Sequence, residues 1–204
     1  MDPVMRELGE RARGFMAAAE GLALYRAALE VASVAPIVEL GSYCGKSSVY
    51  LGTAAREVGG LVFTVDHHRG SEEMQQGWDA HDDELLDSQG RMDSLPFLRA
   101  TLAEAGLEET VIPIVGDTAV VGLNWAMPAS MVFIDGGHGP EPAHRDYEIW
   151  APKVMEGGLL AIHDVFPDPA DGGRPPYEIF CRALESGEFL ERDHVASLRV
   201  LERR

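Results

Sequence analysis

The sequence predicts an α/β fold, a doubly wound and mostly parallel sheet with helices on both faces. Three observations predict it. Apolar runs of strand length alternate with longer stretches whose apolar residues recur at three- and four-residue steps. Each of the first five runs ends in glycine or a polar residue, which gathers those residues at the carboxyl edge of one sheet, where such folds bind ligands. The chain has 204 residues, of which 46% are hydrophobic and 25% charged, enough for one domain, residues 1–204, with a full core.

The elements follow in order. Residues 5–31 read as one leading helix, with Phe15, Ala18, Ala19, Leu22, Tyr25, Ala28 and Leu29 on a broad apolar stripe. It forms an N-terminal helical extension over 1–35, packed on the sheet or on a partner subunit. Pro36 opens strand 1, which carries Glu39 and breaks into Gly41-Ser-Tyr-Cys-Gly45. Glycines there bring the backbone close to a ligand, and a helix from Lys46 would offer its free N–H groups. That helix stops at Gly59-Gly60. Leu61 to Val65 is strand 2, ending at Asp66 and completing about thirty residues of one βαβ unit.

Residues 67–95 break the pattern. They are polar and acidic, carry Trp78, and are punctuated by Gly70, Gly77 and Gly90. A long irregular stretch inside a compact domain reads as a lid or substrate-binding insertion. Phe97 to Ala105 returns to helical spacing. Val111 to Val115 is strand 3, placed at an edge by Pro113 and ending in Gly116-Asp117-Thr118. Met131 to Ile134 is strand 4, ending in Asp135-Gly-Gly-His138. Pro142 to Trp150 is helical, and Gly157 to Ile162 is strand 5, ending in His163-Asp164. After a Pro- and Gly-rich loop, Tyr177 to Ser186 is a short helix. Phe189 to Asp193 and Ser197 to Glu202 close the chain as two further strands, for seven in all.

Charge and cysteine use narrow the function. A net charge of −17 repels phosphate backbones and anionic membranes, which argues against nucleic-acid and membrane-surface partners. No apolar run approaches the ~20 residues of a membrane span. The first residues lack the basic-then-apolar order of a signal peptide. Cys44 and Cys181 are too few for a disulfide framework, so a cytoplasmic setting is expected.

The strand ends carry the chemistry. Gly45-Lys46-Ser47 approaches a P-loop, but three residues separate Gly41 from Gly45 where the phosphate cradle has four. Met131 to Asp135 also looks like the acid-ended strand of a nucleotide hydrolase, so that reading stays as a rival. Glu39, Asp66, Asp117 and Asp135 form a series of acids at one edge, which suits a ligand offering hydroxyls, amines and positive charge. If strands 4 and 5 are neighbours, Asp135 and Asp164 leave backbones ~5 Å apart. Two carboxylates so placed repel unless a proton or cation joins them, and a hard divalent ion fits. His163 is a third ligand or turns away. His138, in a glycine-rich loop, and His144, in the next helix, are candidate general bases. His67 and His68 face the lid or the ligand.

The series Glu39-Leu-Gly-Ser-Tyr-Cys-Gly-Lys-Ser47, Asp66, Gly116-Asp117, Phe133-Ile-Asp-Gly-Gly-His138 and Gly157-Gly-Leu-Leu-Ala-Ile-His-Asp164 resembles the class I S-adenosylmethionine-dependent methyltransferases, Rossmann-like enzymes. Within them it is similar to the metal-dependent sugar O-methyltransferase branch. The segment from Asp66 resembles small actinobacterial enzymes that methylate mannosides. The resemblance covers about residues 35–166. It implies that the turn, with Glu39, Gly41, Ser42, Tyr43, Gly45 and Ser47, wraps the methionine part of S-adenosyl-L-methionine. Asp66 would hold the ribose with His67 nearby, and Asp117 and Thr118 would line the adenine. Asp135 would serve both cofactor and metal, and Asp164, with His163 as a third ligand, would complete a Mg²⁺ site. His138 or His144 would take the proton from a sugar hydroxyl of a small-molecule or oligosaccharide acceptor. The chain departs from the commonest Gly-x-Gly-x-Gly turn by placing Tyr43 in the middle. A non-catalytic module binding the same cofactor is the other alternative. The apolar stripe of the first helix also fits a homodimer.

Overall fold

The structure, a computed structural model, describes residues 1–78, 81–137 and 139–204. Five parallel strands come first: β1 (Ile37–Leu40), β2 (Val62–Asp66), β3 (Val111–Val115), β4 (Ala129–Ile134) and β5 (Val154–Ile162). Then β6 (Phe189–Val195) and β7 (Leu198–Arg203) join as an antiparallel hairpin, with β7 antiparallel to β5. The sheet order is β3-β2-β1-β4-β5-β7-β6, the expected Rossmann-like arrangement with an antiparallel end. Pro113 lies on β3, which pairs with β2 and closes the sheet on that side, so its missing N–H costs no ladder bond.

The helices are α1 (Pro3–Arg11), α2 (Ala18–Val31), α3 (Lys46–Val58), α4 (Leu95–Ala105), α5 (Thr118–Leu123), α6 (Pro140–Trp150) and α7 (Pro175–Glu185). Side chains alternate across the central strands, so each face has its own core. Ile37, Met131 and Phe133 pack with Leu24, Leu51 and Leu98 of α2, α3 and α4. Val38, Val132 and Ile134 pack with Tyr147, Trp150 and Ile179 of α6 and α7.

Three expectations are corrected. The leading helix is two helices, because side chains cap both ends at the break, one from a distant residue and one from within α2. Lys46 Nζ donates to the carbonyls of Glu10 (2.7 Å) and Ala12 (2.8 Å), ending α1. Glu20 accepts from the Ala17 amide at 3.0 Å, starting α2. Leu24 and Ala28 of α2 are fully buried in the core, and Leu22 and Leu29 pack against it partly buried. A helix also stands where none was expected: the Asp117 carboxylate accepts from the Val120 amide at 2.9 Å and caps α5. Finally, β5 starts at Val154, before Gly157-Gly158. Gly158 permits this, since a Cβ there would come within 2.8 Å of the Ser130 carbonyl on β4.

Within the described residues of 67–94 there are single 3₁₀ turns at Glu72–Met74 and Asp83–Leu85 and a bridge between Leu86 and Met92. Leu85 and Met92 bury against Cys44 of the glycine turn, so the segment is fastened over that turn. Asp79 and Ala80 lie outside the described residues. Among the described residues, no helix is long and apolar enough to cross a membrane.

Trp150 anchors the α6 face. It is fully buried, lies 5.6 Å from the Trp125 ring, and its indole N–H donates to the Thr118 carbonyl at 3.0 Å. Trp150→Ala should cost about 3–5 kcal/mol of unfolding free energy in urea titrations.

Candidate functional site

The strand order reverses between β1 and β4, and a crevice opens there beyond their carboxyl ends. A cavity of about 540 Å³ occupies it. Its floor is Gly41–Tyr43, Asp66 and His67, Asp117 and Thr118, Asp135–Gly137, and His163 and Asp164. Arg13–Met16, from the break between α1 and α2, and Gly70–Glu72 with Met74 cover it.

The glycine turn is shaped by contact with β4. Gly41 has φ +86°, and a Cβ there would sit 2.4 Å from the Asp135 carbonyl oxygen. Tyr43 is left-handed at φ 47°, and its ring lies 5.7 Å from Phe15 at the cavity mouth. The Ser42 and Tyr43 amides of the turn are engaged within the protein. One oxygen of Asp66 accepts from the Ser42 and Tyr43 amides at 3.0 and 2.9 Å, and the other accepts from the His68 amide at 2.7 Å. With Lys46 spent on the α1 carbonyls, both parts of the P-loop reading are otherwise engaged.

Two turn residues stand off the cavity. Glu39 is fully buried on the α3 side, where its carboxylate accepts from Ser48 Oγ at 2.5 Å. Burial pushes its pKa up to about 7 against the pull of the Ser47, Ser48 and Thr64 hydroxyls. It locks α3 to β1 from below and does not line the cavity. Gly45 caps α3 at φ 93° and packs toward Leu98. Ser47 does reach the wall.

At the ends of β4 and β5 the expected neighbours meet. Ile134 pairs with Ile162, so Asp135 and His163 emerge side by side. His163 Nδ1 lies 3.0 Å from Asp135 Oδ1 and 3.3 Å from Asp164 Oδ2. One ligand-capable atom from each of the three residues falls within 4.8 Å of the others. Asp164 holds a left-handed φ of 56°, a strain that a functional position can carry. On its other edge, His163 Nε2 lies 3.2 Å from Glu20 Oε2. Burial would lower the imidazole pKa, but Asp135, Asp164 and Glu20 outweigh it and raise it to about 12. Burial would likewise raise Glu20, yet hydrogen bonds from His163, Ser197 and Ala17 hold it at about 2. The donor set fits a divalent ion: two carboxylates partly open to the cavity and one oriented imidazole.

At another part of the lining, Asp117 and Thr118 are held by neighbouring side chains and backbone. Asp117 spends one oxygen capping α5 and accepts from Arg145 with the other at 3.0 Å. Thr118 Oγ donates to Asp146 Oδ1 at 2.6 Å. Asp146 was not singled out by the sequence reading, although it falls on the buried stripe of α6 with Ala143, Tyr147 and Trp150. Glu20 was missed in the same way, on the stripe with Leu24 and Ala28. An acid on a buried stripe was the available signal in both cases.

His144 is removed from the site. It points from α6 toward α7, between Glu178 (3.0 Å from Nε2) and Arg182 (2.8 Å from Nδ1), away from the cavity. His138 lies outside the described residues. His67 lines the cavity, and its Nδ1 accepts from the Arg69 amide at 3.0 Å.

A Rossmann-like sheet with its cavity at the switch point defines a cofactor-binding α/β domain. Residues 38–165 match the family model described as "Methyltransferase domain", and the chain belongs to that family. Among solved structures it is similar to cofactor-bound Rv0187 from MTB, with TM-score 0.67 and 16% identity over 98% of this chain and 87% of that one. It is similar to the O-methyltransferase TomG from Streptomyces achromogenes in complex with SAM, with TM-score 0.63 and 17% identity over 100% and 90% of the two chains. It also resembles the O-methyltransferase from Bacillus cereus in complex with SAH, with TM-score 0.66 and 15% identity over 100% and 92%.

Two outcomes follow. Gly41→Ala forces a methyl group into the Asp135 carbonyl and should destabilise the protein by about 1–3 kcal/mol and weaken cofactor binding, as read by urea unfolding and calorimetry. Burial raises the Asp146 pKa from 3.8 to about 6, so ionising it costs the folded state as pH rises through that range. Asp146→Asn keeps an acceptor for Thr118. It should match the parent's stability near pH 3 and exceed it at pH 7 by roughly 2–3 kcal/mol.

Proposed function

We propose that the protein transfers the methyl group of S-adenosyl-L-methionine to a hydroxyl oxygen of a sugar acceptor, mannoside-like in character, with a divalent cation such as Mg²⁺ beside the cofactor. The observation that carries this reading is the cluster of Asp135, His163 and Asp164 on the floor of the cavity, directly beside the Gly41–Tyr43 turn. The similar structures that hold SAM or SAH support the choice of cofactor.

In this reading each residue has a defined task. Gly41 and Ser42 form the surface against which the methionine part lies. Asp66 keeps that surface rigid through the Ser42 and Tyr43 amides, and it still lines the cavity where ribose hydroxyls would come. Asp117 and Thr118 bound the far end, where adenine would lie. Asp135, Asp164 and His163 Nδ1 would hold the cation, which when bound lowers the energy of a developing alkoxide. His138, three residues beyond Asp135, is proposed as the base that removes the hydroxyl proton, an effect worth ~10²–10⁴-fold. Phe15 and Tyr43 offer an aromatic face at the mouth, suited to the apolar face of a sugar ring. Arg13–Met16 and Gly70–Glu72 with Met74 act as the cover that excludes water. With the reacting groups so held, the in-line transfer is largely a matter of positioning.

The test is transfer of labelled methyl from S-adenosylmethionine to a panel of mannosides and other vicinal diols. Activity should be lost in excess EDTA and restored by Mg²⁺ or Mn²⁺. Asp135→Asn should lower kcat/KM by ~10²-fold or more, since even outer partners of a bound metal are worth 10–100-fold. Methyl transfer that is indifferent to EDTA and to Asp135→Asn would overturn the metal role. Calorimetric binding of S-adenosylhomocysteine with no turnover on any diol would favour a non-catalytic binding module.

A further inference from the structure

The buried carboxylate of Glu20 has no part in the reading above, yet it is among the most tightly held groups in the chain. Its side chain is 5% exposed. One oxygen accepts from the Ser197 amide (2.8 Å) and Ser197 Oγ (2.7 Å). The other accepts from the Ala17 amide (3.0 Å) and faces His163 Nε2 (3.2 Å). Burying an acid is costly unless every lone pair is used, and here three donors besides His163 aim a full carboxylate at one ring nitrogen. Three distant parts of the chain converge to do this: the start of α2, the end of β5, and the β6–β7 turn. Glu20 and Ser197 both lie outside residues 38–165, the stretch that matches the methyltransferase family.

An ionised carboxylate has no proton to give, so Nε2 must carry the hydrogen of this contact. That choice turns the other nitrogen, Nδ1, toward Asp135 Oδ1 and Asp164 Oδ2. We propose that Glu20 is a positioning residue, braced by Ser197, that orients His163 so that Nδ1 completes a divalent-cation site with Asp135 and Asp164. The proposal rests on the metal reading of the proposed function and adds to it the nitrogen that ligates and the residue that selects it. Carboxylates on the far side of ligating histidines commonly have this effect.

The test is calorimetric titration of Mn²⁺ into the full chain, its Glu20→Gln, His163→Ala and Ser197→Ala variants, and the Glu20→Gln/His163→Ala double variant. S-adenosylhomocysteine binding in each reports on the intact fold. A glutamine cannot accept from all four donors, so Glu20→Gln should weaken Mn²⁺ binding by ~10–100-fold. Ser197→Ala, which removes one donor and spares the backbone, should weaken it by a smaller factor. In the His163→Ala background, Glu20→Gln should add nothing. Imidazole nitrogen modulation in the electron-spin-echo spectrum of bound Mn²⁺ should be present in the parent and absent in His163→Ala. The proposal is overturned if Glu20→Gln binds Mn²⁺ like the parent, or if its loss persists undiminished in the His163→Ala background, the mark of a purely structural staple. If Glu20→Gln fails to fold, unchanged Mn²⁺ affinity in Ser197→Ala overturns it. A parent chain that binds S-adenosylhomocysteine but no Mn²⁺ overturns the metal reading itself, and this proposal with it.

Discussion

One buried imidazole, shared among carboxylates from three elements, is the interaction around which this molecule is arranged. His163 at the end of β5 meets Asp135 from β4, its own neighbour Asp164, and Glu20 from α2. So many acids cannot share one pocket uncompensated. A positive imidazole reconciles them, and a divalent ion at the cavity edge would do the same for the two aspartates. The same requirement explains why α2 must dock where it does and why the β6–β7 turn must reach it: Ser197 and Ala17 supply the hydrogen bonds that let Glu20 remain ionised when buried.

The glycine turn is built by a related economy of groups. Gly41 passes so close to the Asp135 carbonyl that no side chain fits, which sets the turn directly beside the acidic cluster. Asp66 then freezes the turn by accepting two of its amides. Above it, Arg13 pairs with Asp82 at 2.8 Å and with Glu84, and its guanidinium lies 5.3 Å from the Phe97 ring. These contacts link the break between α1 and α2 to the 67–94 segment across the cavity mouth. These partly exposed ion pairs are individually weak.

Much of this was legible in the letters, for reasons that differ by element. Strand ends were marked because a buried parallel strand is apolar throughout and stops abruptly in polar residues, as at Asp66, Asp135 and His163-Asp164. Pro113 marked its own edge. The break at residues 12–17 was hidden because Lys46 caps α1 through a tertiary contact, and the local Glu20 cap of α2 sits within an unbroken helical periodicity. Helix α5 was hidden because Thr118–Leu123 is short and apolar, with Asp117 as its signal. In the site, nearest neighbours across β4 and β5 were predictable from topology. Glu20 and Asp146 were not singled out, because an acid within an apolar stripe reads as an exposed interruption until its partners are seen. His144 misled for the opposite reason: its closeness in sequence to Asp135 placed it on α6, but on the face turned to Glu178 and Arg182.

The central claim is that Asp135, Asp164 and His163 hold one cation next to a cofactor lodged against Gly41. Anomalous diffraction from crystals grown with Mn²⁺ and S-adenosylhomocysteine tests it most directly. The account predicts a single strong peak within coordination distance of both aspartates and of His163 Nδ1, beside the sulfur of the bound ligand. A peak elsewhere in the cavity, or a ligand seated at the turn with no peak among those three residues, would contradict it.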